Sequence, residues 1–278
     1  KAGVKEPTQD WTWEDYFEKC KAIYEALGIP GDETFCTMNA KDGLRHYVFS
    51  QGYTIYNEDQ TALAFPKEMM VEFLNWELKG QKEGWIADQA TQNEITTVEQ
   101  SLIVTGDAAM KGAINSNQCV ALMEAAGREL RLINYPHSKG EKRWGTVLGP
   151  SMLINLSNTG TDVEKEESAK LLNFILNDVE ANLIMGGERG VPSSKRVVEA
   201  LLNGDTLSDY AKITFEYVNN VSPYLEPDLD VIRPPADGEI INIYKRLHDQ
   251  VMFGEMTPEE ATEAFFAEAN ALLAAGAN

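Results

Sequence analysis

Apolar residues recur at helical spacing through most of this sequence. Trp13, Tyr16, Phe17, Cys20, Ile23, Tyr24 and Leu27 follow Thr12 at i, i+3, i+4 and i+7 steps, and Gly28 stops the run. Thr12 with Asp15 makes a capping box built on the shorter acid. Trp13 lies inside the apolar stripe, which assigns it to packing rather than to a ligand. A second helix carries Leu44, Tyr47 and Val48 as far as Gln51-Gly52. Two short runs, 53–56 and 62–65, flank Asn57-Glu58-Asp59-Gln60 as a small hairpin. Pro66 then opens a helix with Met69, Met70, Phe73, Leu74 and Trp76 broadly on one side. Beyond it the pattern predicts a helix over 91–104, a short strand at Ala108-Ala109-Met110, a helix over 118–126 and a strand over 130–135.

The middle of the chain changes character. Val147 to Leu156 is apolar with strand chemistry, is bent by Gly149-Pro150, and ends in the turn-forming tract Ser157-Asn158-Thr159-Gly160-Thr161. A helix follows, with Ala169, Leu172 and Ile175 at helical spacing. Such a stretch is either a strand-turn-helix within one α/β domain or a crossing from one lobe to another. Helices are expected over 179–185, 195–203 with Ser194 as cap, 207–219 and 239–253. The last helix starts cleanly: Thr257 as N-cap, Pro258 in the first turn and Glu260 closing the box.

The charge balance alters the picture more than the length. Of 278 residues, 44 are acidic and 24 basic, a net charge of −20, and such a surface repels nucleic-acid phosphates and anionic lipid. No apolar run approaches the ~20 residues that cross a bilayer. Cys20, Cys36 and Cys119 form no CxxC, and an odd number argues against a complete disulfide framework; Cys20, on an apolar helix face, reads as a buried thiol. His46, His137 and His248 are too scattered for a histidine-rich metal site. Lys1 to Pro7 carry neither a methionine nor a signal or lipidation pattern, and read as the interior of a longer chain.

Motifs for nucleotide cofactors, phosphate loops, serine hydrolases and zinc proteases are missing, so no cofactor and no metal is expected. Paired carboxylates for glycoside hydrolysis are trivially available among 44 acids, which leaves that chemistry open without supporting it. His46 reads as structural. What remains is a polar and aromatic set in loops and at helix starts: Asp42, Arg45, Asn115, Asn117, Trp144, Ser151 and Glu239. Sugars are bound by such sets, because a ring covers the C–H face of a pyranose while carboxylates, amides and guanidinium match its hydroxyls. The polar turn around Asn115 and Asn117 follows a strand end, where it either lines a cleft or is simply solvated.

The order of several segments is more telling. KAGVKEPTQDWTWEDYFEKCKAI resembles the lobe-entry helix found mid-chain in extracellular solute-binding proteins of ABC importers, in the maltose and oligosaccharide group. LIVTGDAAMKGAINSN resembles their strand and turn with a Gly-x-Ala-Ala-Met core, and GTVLGPSMLINLSNTGTDVEKEESAKLLNFILND resembles their hinge strand and following helix. GERGVPSSKRV and IYKRLHDQVMFGEMTPEEATEAFFAEAN resemble the turn and closing helices that come after.

The resemblance implies an α/β, periplasmic-binding-protein-like type II fold of two lobes, mostly the helix-rich C-terminal lobe, with a ligand cleft between lobes and no enzymatic activity. Residues 1–147 would begin the C-terminal lobe, 148–192 would be the hinge strand and an N-terminal-lobe segment, and 193–278 would return to the C-terminal lobe. About the first third of the family's length, with its lipoprotein signal, would lie outside the chain. Carried over by position, the ligand residues would be Asp42, Arg45, Tyr47, Asn115, Asn117, Trp144, Ser151, Glu239 and Asn242. Family members often stack an aromatic ring in the Ala-Ala-Met turn and at the penultimate helix start. Both places are polar here, so stacking falls to Trp144 or Tyr47. The implied protein is a monomeric sugar or oligosaccharide receptor at the bacterial cell surface or in the periplasm, with ABC permease subunits as partners. The alternatives are a carbohydrate-active hydrolase and a receptor for a non-sugar solute such as a polyamine or peptide.

Overall fold

A computed structural model describes residues 1–33, 40–112, 116–139, 158–221, 223, 225 and 233–276, with the backbone alone of 40–42. The strand expected over 147–156 lies outside these residues. The helices are α1 (Trp13–Leu27), α2 (Ala40–Ser50), α3 (Lys67–Glu83), α4 (Gln89–Glu94), α5 (Leu102–Thr105), α6 (Ser116–Ala126), α7 (Asp162–Asn177), α8 (Val179–Met185), α9 (Lys195–Asn203), α10 (Asp209–Asn220), α11 (Asp237–Met252) and α12 (Pro258–Gly276). Among the described residues, β pairing is limited to isolated bridges. Two compact units result: Lys1–Ile114 with Ile133–Leu148 and Tyr224–Asn278, and Asn115–Leu132 with Gly149–Pro223. The second unit therefore takes in 115–132 and runs on to 223, whereas the sequence reading drew a middle segment of 148–192.

Local signals account for most of the ends. Thr12 and Asp15 cap α1 reciprocally, and Gly28 closes it in the left-handed conformation at φ 69°. Thr257 and Glu260 exchange bonds of 3.0 and 3.2 Å at the start of α12. The expected hairpin is present as a single antiparallel bridge, Tyr56 to Leu63, and the Asn57 side chain accepts from the Thr61 and Ala62 amides inside the turn. Two expectations fail. The helix over 91–104 is broken into α4, a 3-10 turn at Val98–Gln100, and α5. The Gln100 side-chain Oε1 there accepts from the Thr96 and Thr97 amides, and Ser101 turns inward to a buried carboxylate. Residues 130–135 form no strand; the pairing falls at His137, beside Thr12.

The first unit is held by an aromatic core. Trp13, Tyr16, Tyr47 and Phe73 are buried, and Tyr47 meets Trp13 edge-on at 5.6 Å and Trp76 at 5.1 Å. Trp13 is thus a core residue, and its indole donates to Ser50 at 2.9 Å. Cys20 is fully buried, and Gly31 lies so close that a Cβ there would come within 2.2 Å of the Cys20 Cα. Helices α3, α11 and α12 pack together behind this layer. Between α3 and α11 a buried His248 meets the buried Glu77 at 2.9 Å. The second unit has a smaller core, Val197, Val198, Leu201, Leu207, Ala211 and Phe215, contributed by α9, α10 and the segment between them.

Burial alone would lower the pKa of His248, but the charge of Glu77, with help from Asp249, outweighs it and lifts the ring from 6.5 to about 9. Because the folded-state value lies above the unfolded one, this stabilisation is complete below pH 6.5 and is lost as pH climbs through about 9. The melting midpoint of the chain is therefore expected to fall across that window. Removing one partner of such a pair costs about 3–5 kcal/mol. Circular-dichroism melts of His248→Gln should show a lower midpoint at pH 6 and a flatter pH profile; an unchanged slope would contradict the assignment.

Candidate functional site

Several stretches of the first unit run parallel to one another. Asp32 bridges both Ile86 and Met110, and Thr12 bridges His137, all in parallel sense. In open α/β folds, ligands gather outside the carboxyl ends of parallel strands, because the loops that follow are free to carry binding groups. Here the segments that follow are 34–39 after Glu33, 113–115 after Gly112 and 140–157 after Lys139. The last two contain three of the sequence-predicted site residues, Asn115, Trp144 and Ser151, which lie outside the described residues.

The stems of these segments are anchored by polar groups that sequence reading missed. Glu33 is fully buried, and its carboxylate accepts from the Ser101 hydroxyl at 2.7 and 2.9 Å, the Ile103 amide at 3.0 Å and the Lys111 ammonium at 2.7 Å. The Glu33 amide donates in turn to the Met110 carbonyl at 3.0 Å. Asp32 accepts from the buried Tyr16 hydroxyl at 2.7 Å. At the third stem, His137 is bonded to Asp10 at 2.8 Å and to the Ser138 carbonyl at 2.7 Å, while the Trp11 indole donates to the Asn134 carbonyl at 2.9 Å. The available signal was adjacency for one of them: Lys111 stands directly after the predicted strand Ala108-Ala109-Met110, whereas nothing in the pattern singled out Glu33.

The remaining candidates fall in different settings. Asp42 belongs to the first turn of α2, and its side chain lies outside the description. Arg45 is buried, with its guanidinium 4.9 Å above the Phe49 ring. Tyr47 is 4% exposed, and its hydroxyl donates to Glu72 at 2.7 Å. Burial and then that carboxylate push the Tyr47 pKa far above the usual phenol value. Its ring is committed to the core, which removes it as a free stacking platform. Glu239 and Asn242 are exposed at the start of α11, the helix that packs on α2, so these two join Asp42 and Arg45 on one helix pair. Asn117 is exposed on α6 in the second unit. His46, read as structural, stacks on Tyr135 at 3.8 Å with the planes 15° apart.

Other features offer less. An open groove between the starts of α3 and α12 is lined by Lys67, Glu68, Val71, Glu72, Glu259, Thr262 and Glu263. It presents no aromatic ring, and Lys67 is already paired with Glu263 at 2.5 Å. Burial pushes the Cys119 thiol up to about 12, which makes it a poor nucleophile. Among the described residues no His, Cys, Asp and Glu group is arranged to hold a metal ion, and no helix is long and apolar enough to cross a membrane.

No protein-family model matches the sequence. Solved structures do. An extracellular solute-binding protein of family 1 from Alicyclobacillus acidocaldarius matches with a TM-score of 0.80 and 24% identity, over 99% of this chain and 67% of that one. A periplasmic oligogalacturonide-binding protein from Yersinia enterocolitica, solved with saturated digalacturonic acid, matches with a TM-score of 0.77 and 20% identity, over 100% and 69%. An ABC substrate-binding protein from Listeria monocytogenes, solved with cycloalternan, matches with a TM-score of 0.65 and 20% identity, over 98% and 66%. The same fold also appears in a de novo designed cysteine esterase, at 18% identity and a TM-score of 0.74 over 100% and 68%. The chain thus has the fold of periplasmic and extracellular solute-binding proteins.

The Glu33 anchor yields a direct test. Lys111→Met leaves a buried carboxylate with neutral donors only, and should lower the unfolding free energy by about 3–5 kcal/mol. Urea denaturation measures it, and a loss below about 1 kcal/mol, the range of a surface pair, would show that Glu33 is not sealed as described.

Proposed function

We propose that this chain is the ligand-binding receptor of an ABC importer and captures a sugar or oligosaccharide. The observation that carries the reading is the fold likeness along essentially the whole chain to solute-binding proteins, two of them solved with oligosaccharides. The placement of the candidate set supports it, since the segments holding Asn115, Trp144 and Ser151 follow parallel-paired stretches whose ends are pinned by Glu33 and His137. Stretches pinned by buried side chains suit a protein that must hold several groups in place around a solute.

On this reading the α/β two-lobed architecture expected from sequence applies, and the protein is not an enzyme. Asp42, Asn115, Asn117, Ser151, Glu239 and Asn242 supply hydrogen bonds, and Trp144 supplies the ring, Arg45 and Tyr47 being enclosed. Arg45 acts from within, its guanidinium lying over Phe49 in the second half of α2. Delivery to permease subunits and a lipid tether at the outer face of the membrane belong to the same proposal.

A ligand bound only by the folded state raises the melting midpoint, by about 2.7 kcal/mol of stability at a hundredfold excess over Kd. Thermal melts against neutral oligosaccharides, uronic-acid oligosaccharides, polyamines and peptides are expected to show a shift with a glycan that disappears in Trp144→Ala. A shift with polyamines or peptides and none with any glycan would discard the substrate class while keeping the fold.

A further inference from the structure

The starts of α3 and α12 leave between them a groove of about 610 Å³, a size that small molecules occupy. Its walls are acidic. Glu68 and Glu72 stand on α3, Glu259 and Glu263 on α12, and all four are exposed. Among the described residues that line it, Lys67 alone is basic.

Acids are plentiful on this chain, so their presence decides nothing. Their placement does. The helix dipole favours a glutamate in the first turn, which accounts for Glu68 and Glu259. Glu72 and Glu263 lie one turn further in, where that attraction has faded and each meets a like charge at i, i+4. Two helices thus carry the same repulsive pair into the same groove.

A neutral group points to the same chemistry. Thr262 also lines the groove; it is 1% exposed, and its buried hydroxyl has no hydrogen-bond partner. A buried hydroxyl left unpaired costs stability, and a donor held in the groove would satisfy it. The chain's own Lys67 shows how an ammonium is received here. Its Nζ is 2.5 Å from the Glu263 carboxylate and 5.6 Å from the centre of the Phe266 ring.

The spacing selects the kind of cation. Among the described residues no carboxylates converge to hold a metal ion, so the charge is spread along the groove rather than focused at one point. Residues at i, i+4 stand about 5–6 Å apart at Cβ, comparable to the separation of ammonium groups along an aliphatic polyamine. Val71 offers apolar contact to the methylenes between such groups.

We infer that the α3–α12 groove binds an aliphatic polyamine, gripped by the glutamate pairs and by the Thr262 hydroxyl. The groove belongs wholly to the first unit and its lining includes none of the candidate sugar-binding residues, so it stands or falls apart from the sugar reading.

Isothermal titration of the chain with spermidine at low ionic strength tests it, since salt screens exposed charges. Saturable one-to-one binding is expected, with none by propylamine at the same concentration. Replacing Glu68→Gln and Glu259→Gln together should weaken it about tenfold. Thr262→Val should weaken it about threefold. Glu94→Gln, at an exposed acid on α4, should leave it unchanged. Equal weakening by Glu94→Gln would reduce the effect to the chain's overall charge and overturn the inference. Displacement of spermidine by an equal concentration of magnesium or calcium would overturn it in favour of a metal site. Binding of an oligolysine peptide but not of spermidine would overturn it in favour of a protein partner. Spermidine binding that survives the groove variants and is lost in Trp144→Ala would also overturn it, by moving the amine to the solute site.

Discussion

A carboxylate sealed from water is tolerable only when donors replace its hydration, and Glu33 has a full set of them. Hydroxyl, amide and ammonium groups from Ser101, Ile103 and Lys111 converge on it from stretches about 70 residues further along the chain. This convergence does two things at once. It breaks what the periodicity would make one continuous helix, turning Ser101 inward, and it fixes Asp32 between Ile86 and Met110. The parallel pairings are short, single bridges in each case, so they depend on such side-chain anchors rather than on a ladder of backbone bonds. Segments 113–115 and 140–157, which contain Asn115, Trp144 and Ser151, follow these anchored ends in the sequence.

The first unit shows a consistent division of labour between buried and exposed polar groups. Glu33 with Lys111, and Glu77 with His248, are enclosed and neutralised, and each joins segments far apart in sequence. Buried pairs of this type contribute uniqueness of arrangement more dependably than net stability, since desolvation offsets much of their attraction. Tyr47 and Arg45 also belong to this enclosed class. Glu239, Asn242 and Asn117 stand in water and are open to a ligand. The many acidic side chains that give the chain its charge are mostly of the exposed kind, and they say more about solubility than about one pocket.

Much of the helical framework was legible because it rests on local physics. The Thr12–Asp15 and Thr257–Glu260 boxes, the left-handed stop at Gly28, and the span of α8 up to Gly186 follow from capping and glycine chemistry within a few residues. Trp13 and Cys20 were legible as core from their place in a stripe. The failures were non-local. No window around residues 91–104 contains Glu33, whose demand on Ser101 stops the helix, and 130–135 has the composition of a strand but finds its pairing two residues later, at His137. Tyr47 looked like a ligand-facing ring because sequence cannot show that Trp13, Phe73, Trp76 and Glu72 surround it. The helical spacing of Ala169, Leu172 and Ile175 was legible, yet no α7 residue is buried, because periodicity reveals a helix and not how deeply its face is covered.

The central claim is that the protein holds a sugar and leaves it chemically intact. Isothermal titration with the best glycan of a panel, followed by chromatography of the recovered ligand after prolonged incubation, tests both halves together. The account predicts saturable one-to-one binding and an oligosaccharide returned unchanged. Shortened products that vanish on replacing one carboxylate would contradict it and make the chain a hydrolase.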